Sequence, residues 1–187
     1  MGLYYYLGAQ LPYLTYGQAV PMSSRAFRDM VLKEMSPGEA KLLEFCTLEP
    51  ISKQQISKAG ITSAFIRDWH NWEGVLRLTL AKNRGIKLKR EDPSLENVPE
   101  TPTDAVAAAK QALSVDSPIE AELILDTARW NAIETLHGIG YFTENMIYAY
   151  LLKLQLMERR QAFNTEEGFA EYNTLYASIL ENAGEFE

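Results

Sequence analysis

Thr62-Ser63-Ala64-Phe65-Ile66-Arg67-Asp68-Trp69-His70-Asn71-Trp72-Glu73-Gly74-Val75-Leu76-Arg77-Leu78-Thr79-Leu80-Ala81-Lys82-Asn83-Arg84-Gly85 sets the fold class. Its apolar residues Phe65, Trp69, Trp72, Leu76 and Leu80 stand at offsets of four, seven, eleven and fifteen from the first. At 3.6 residues per turn those offsets return to one side of an α-helix and define a continuous buried face. Thr62 or Ser63 supplies the N-cap. Gly85 is placed as the stop, with Lys82 and Arg84 in the last turn complementing the negative end of the helix dipole.

The same reading extends in both directions. Residues 1–22 form an aromatic, Pro-punctuated lead-in, Tyr4-Tyr5-Tyr6-Leu7 and then Leu11-Pro12-Tyr13-Leu14, predicted to pack on the core as a short extended or helical segment. Ser23 or Ser24 caps a helix with the stripe Phe27, Met30, Val31 and Met35. Ser36-Pro37-Gly38-Glu39 has the form of a capping box with proline at the first helical position, and opens a helix through Leu42, Leu43 and Cys46. Residues 86–103, with Pro93, Pro99 and Pro102 among charges, read as an exposed linker. Thr103 or Asp104 then starts an Ala-rich helix. Ser117-Pro118 starts another, which runs through Leu123, Trp130 and Ile133 to a stop at Gly138. Thr143 caps a helix from Glu144 to about Phe163, apolar on nearly all sides near residues 147–157 and therefore central. Thr165 caps the last, with Phe169, Tyr172, Tyr176 and Ile179 inward. No convincing strand pair occurs. The expected fold is all-α: a multi-helix bundle in a single domain of two halves, about 1–90 and 104–187, joined by linker 91–103.

The chain has 187 residues, of which 47% are hydrophobic and 23% charged. That balance excludes disordered and fibrous classes and allows a substantial core. The lone Cys46 forms no internal disulfide and no Asn-x-Ser/Thr sequon occurs, so a cytoplasmic address is expected. Residues 1–14 lack the basic and apolar regions of a signal peptide, and the longest apolar stretch, 147–157, is too short to span a bilayer. The net charge of −7 is unevenly spread: residues 1–90 carry 13 Lys/Arg and 7 Asp/Glu, and residues 91–187 carry 5 and 18, giving +6 and −13. Two solvated faces explain this, and so do two partners of opposite charge.

The chemistry-bearing residues are sparse. His70 and His137 lie in different helices with no ligand at metal spacing, so neither a metal nor a cofactor is expected. His70 reads as a boundary histidine, and His137 as a C-terminal residue meeting the last carbonyls and the dipole. Gly138-Ile139-Gly140 lacks the third glycine and the βαβ setting of a dinucleotide loop. The pairs Glu120/Glu122 and Glu166/Glu167 occupy first turns, where the dipole favours carboxylates without any acid–base role. Lys82, Arg84, Lys87, Lys89 and Arg90 place five cations within nine positions. No aromatic is interleaved for base stacking and Glu91-Asp92 follow, so nucleic acid is not the expected partner. Docking on an acidic protein surface, or an approach to anionic lipid heads, uses the same residues with fewer requirements.

Tyr4-Tyr5-Tyr6-Leu7-Gly8-Ala9-Gln10-Leu11-Pro12, followed by Pro21-Met22-Ser23-Ser24-Arg25-Ala26-Phe27, resembles the opening of a family of proteins encoded within bacterial V-type ATP synthase operons. The segment 69–85, with Trp72, Leu76, Arg77, Lys82 and Gly85, looks like that family's first long helix. Tyr150-Leu151-Leu152-Lys153-Leu154-Gln155-Leu156-Met157-Glu158-Arg159 looks like its C-terminal hallmark. The family is similar in turn to the C-type subunit of V-type ATPases, an all-helical, funnel-like socket built from repeated units that joins the rotating central stalk to the membrane proteolipid ring. Here Ile66 to Asn83 can be laid over Ile147 to Asn164 as second elements of two such units.

The resemblance implies a non-catalytic, cytoplasmic subunit held on the inner face of the membrane through the complex, with stalk and proteolipid-ring subunits as partners and no transmembrane segment. It implies rotor coupling or docking rather than bond-making, with Trp69, Trp72, Trp130 and Tyr150 as scaffold. The alternatives are an assembly or interaction factor for that complex and, from the residues alone, a small helical enzyme with a deep polar pocket.

Overall fold

The computed structural model describes residues 4–89, 98–140 and 142–163. Among them the chain forms α1 (Tyr5–Gln10), α2 (Ser24–Val31), α3 (Pro37–Leu42), a 3-10 turn (Leu43–Phe45), α4 (Lys53–Lys58), α5 (Ala64–Lys87), α6 (Thr103–Ala112), α7 (Pro118–His137) and α8 (Glu144–Phe163). No strand occurs among the described residues, and the fold is an all-α, multi-helix bundle. The helix expected after Thr165, with Glu166 and Glu167, lies outside the described residues, as do Arg90 and residues 91–97 of the linker.

Capping serines set most of the helix starts. The hydroxyls of Ser23, Ser63 and Ser117 accept from the N–H groups of Ala26, Ile66 and Glu120. Each satisfies one of the donors that a first turn leaves without a partner, at about 1 kcal/mol per cap. Ser36 and Glu39 form the reciprocal box that the sequence predicts, with Pro37 at the first position. A second box, Ser52 with Gln55, opens α4. Sequence reasoning missed it because α4 has a single large apolar residue, Ile56, and so no stripe. At α6 the cap is Pro102, without a side-chain bond, and Asp104 instead accepts the indole N–H of Trp72 at 2.7 Å.

The end of α5 departs from expectation. The helix passes through Gly85 and stops at Lys87, and the left-handed residue is Lys89, at φ 53°. A glycine inside a helix costs only about 1 kcal/mol relative to alanine, too little to force termination. Here the Lys87 ammonium donates to the Leu113 carbonyl at 2.5 Å, tying the extra turn to the end of α6. At α7 the glycine stop holds: Gly138 takes φ 68° directly after His137.

The predicted stripe of α5 is wholly inside, with Phe65, Trp69, Trp72, Leu76 and Leu80 all buried. Trp69 and Trp72 stack at 6.0 Å between ring centroids. Burying one such side chain contributes about 1.5–3 kcal/mol. α8 is buried on most sides, from Ile147 through Leu152 and again at Leu154, Leu156 and Met157, as a central helix must be. It runs antiparallel to α7, pairing Lys153 with Glu134 and Arg159 with Glu122. The aromatic lead-in is helical in α1, sending Tyr4 and Leu7 inward while Tyr5 and Tyr6 stay exposed.

The N-terminal loops and short helices hang on polar groups of α8. The Tyr148 hydroxyl donates to the Glu39 carbonyl at 3.2 Å, the Tyr150 hydroxyl to Pro12 at 2.9 Å, and the Gln155 amide to Cys46 at 2.8 Å. The Glu158 carboxylate accepts the N–H of Ser24 at 2.7 Å. These bonds satisfy backbone groups of loops and of short helices that lack a partner of their own. Burial raises the Tyr150 phenol to a pKa of about 12, so it remains a donor throughout the ordinary pH range.

Candidate functional site

α5 carries two sets of charge. In its middle, Glu73 points into the bundle with only 4% of its surface exposed, and Arg129 of α7, equally buried, meets it. The guanidinium reaches Glu73 through Nε and Nη2, both at 3.1 Å, and Asp126 through Nη1 at 2.8 Å. Arg77 adds a 2.7 Å bond from Nε to Glu73 and one of the same length from Nη2 to the Leu48 carbonyl. Arg159 of α8 pairs with Glu122 and stands 3.7 Å from Asp126. Three carboxylates and three guanidiniums thus join α5, α7 and α8 in a charge-balanced group.

Burial works against ionisation at Asp126, raising its pKa, while Arg159 and Arg129 oppose that shift. Burial would likewise lower Arg129, but Glu73 and Asp126 reverse the effect and hold its proton more firmly than usual. An arrangement of this kind adds little net stability over apolar packing, but it fixes register, because any slip strands a charge in the interior.

The basic end of α5 is a different environment. A helix turns about 100° per residue, so Lys82 and Arg84 project about 200° apart and the run of five cations does not make one patch. Lys82 is half-buried and lines a cleft of about 550 Å³ between α5 and α6, together with Asn83, Glu100 and Lys110. Thr79 lines the same cleft, its hydroxyl buried without a hydrogen-bond partner. Arg84, Lys87 and Lys89 are exposed at the tip, beside the exposed Ile86 and Leu88. The structure therefore keeps three of the five sequence-predicted docking residues together, separates Lys82, and does not describe Arg90.

A second cleft of about 550 Å³ lies between α4 and the outer side of α5, over Gly74 and walled by Ile56, Ile61, Val75 and Leu78. His70 lies at its edge with Nε2 2.7 Å from the Phe45 carbonyl, and so donates to it. Burial lowers its pKa, against the pull of that bond and of Glu73. His137 donates from Nε2 to Gly140 at 3.0 Å, beyond the helix rather than to its last carbonyls. Burial keeps its pKa below the usual histidine value too, against the pull of the Gly140 bond. Glu120 occupies the first turn of α7 as expected, whereas Glu122 is engaged by Arg159.

Among the described residues no group of three His, Cys, Asp or Glu side chains could hold a metal ion, and no helix is long and apolar enough to cross a membrane. The sequence matches no protein-family model, and comparisons with curated proteins and with solved structures likewise give no match.

Proposed function

We propose that the protein is a non-catalytic component of a bacterial V-type ATP synthase, acting like the C-type socket as a coupling or docking element between central stalk and proteolipid ring. The resemblance of its opening, of α5 and of 150–159 to the operon-encoded family motivates the reading. One structural observation carries it: α5 runs unbroken from a core of stacked tryptophans and locked charges to an exposed cationic tip. A load applied at Arg84, Lys87 and Lys89 passes along one helix into close-packed interior, which a torque-bearing or docking part requires. The acidic surplus of residues 91–187 supplies charge of opposite sign for the stalk.

Affinity purification of the tagged chain from its native cell, with mass spectrometry of what accompanies it, tests the proposal. Stalk and ring subunits recovered in fixed ratio through a salt wash and gel filtration are the expected result. Recovery only before washing turns the reading to an assembly factor, and recovery of no synthase subunit overturns both.

A further inference from the structure

The tip of α5 adds to the cations of the docking proposal a feature that the proposal does not use, an exposed apolar pair. Ile86 and Leu88 are 65% and 66% exposed, unlike Leu76 and Leu80 of the same helix, which are buried. Around them stand the exposed cations Arg84, Lys87 and Lys89. The tip is held in shape by the N–H groups of Leu88 and Lys89, which bond the Arg84 and Ile86 carbonyls, and by the Lys87 bond to Leu113.

We infer that this tip inserts into the headgroup layer of an anionic bilayer, with Ile86 and Leu88 entering the interface and Arg84, Lys87 and Lys89 meeting lipid phosphates. Ile86 and Leu88 alone fall far short of the roughly 800 Å² that a specific protein partner covers on each side, so the apolar pair by itself is not a protein interface. A headgroup layer accepts such isolated apolar groups when cations flank them, because each cation reaches the negative surface while each apolar group leaves water. The net charge of −7, with Glu91 and Asp92 close after the tip in the sequence, opposes the attraction of the cations. Binding is therefore weak and reversible. The inference goes beyond the synthase proposal and does not depend on it.

The test uses the purified full chain with vesicles of phosphatidylcholine alone and of phosphatidylcholine mixed with phosphatidylglycerol. Cosedimentation with the mixed vesicles only, weakened by salt, is expected. Arg84→Gln combined with Lys89→Gln lowers the partition coefficient about fivefold per cation, and Ile86→Ser with Leu88→Ser lowers it further at an unchanged melting temperature. Because Trp69, Trp72 and Trp130 are buried, Leu88→Trp adds an exposed indole whose emission moves to the blue when mixed vesicles are added. Equal binding to both vesicle types, no loss in the tip variants, or an unmoved Leu88→Trp emission overturns the inference. Absence of vesicle binding, with tip variants instead losing a copurifying protein, also overturns it and assigns the tip to a protein contact. Synthase recovery is read independently, so either idea fails without the other.

Discussion

The middle and the end of α5 carry the same chemical groups in opposite settings. Around Glu73 every ion finds a counter-ion inside the bundle, and the basic half of the sequence lends its carboxylate to Arg129 from the acidic half. About ten residues further on, Arg84 and Lys89 stand in water with apolar neighbours that have no cover. Charge in the first place specifies register and is costly to disturb, whereas charge in the second is almost free to change as far as folding is concerned. A surface whose charges do little for stability is available for contact with something else.

The contrast is broken most directly at Arg129. Arg129→Met removes the one guanidinium that Glu73 and Asp126 share, leaving them to the partly exposed Arg77 and Arg159, and is expected to lower stability by about 3–5 kcal/mol, read from the denaturant midpoint. Adding Glu73→Gln and Asp126→Asn removes the stranded charges and recovers most of that loss. A single-variant effect below about 1 kcal/mol breaks the account of a locked interior.

A smaller effect comes from the histidines, which sharpen the comparison by adding groups buried without charge. Both His70 and His137 are held below the ordinary value of 6.5 by burial. The unfolded chain therefore takes up protons first. Their contribution to stability is complete above that value and is lost as pH falls through it towards the folded values. Melting temperature should decline on acidification from about pH 7.5 to about pH 5.5, and less steeply in the His70→Gln/His137→Gln variant. A parallel decline in the variant assigns the acid sensitivity to other groups. The smallest effect belongs to the tip, where Arg84→Gln with Lys89→Gln should shift stability by no more than about 0.5 kcal/mol. A larger drop would mean that the end of α5 is a structural element like its middle.

The long helices are legible in the sequence because their apolar spacing is sustained, and α8 is legible as central because its residues 147–157 leave few polar sides. The locked charges are not. Their signal is present, since Glu73 lies four residues after Trp69 and three before Leu76, on the apolar face, and Asp126 follows the buried Leu125. Charges counted by half of the chain, rather than by face of the helix, hide the exchange between Glu73 and Arg129. The basic run is visible as a cluster, but linear proximity overstates its unity, because the helix turns Lys82 towards α6 and Arg84 towards solvent. The extra turn past Gly85 depends on Leu113, a residue that no local rule connects with Lys87.

The bonds from α8 to the N-terminal loops and short helices link residues separated by 109 to 138 positions. During synthesis, the carbonyls of Pro12, Glu39 and Cys46 and the amide of Ser24 emerge first and wait for partners made more than a hundred residues later. Such long-range closure slows folding, since loop entropy is lost before the contacts form. These segments, made before α8, are thus among the last to acquire their native hydrogen bonds, and in that interval their tyrosines and leucines are the surface a chaperone would meet.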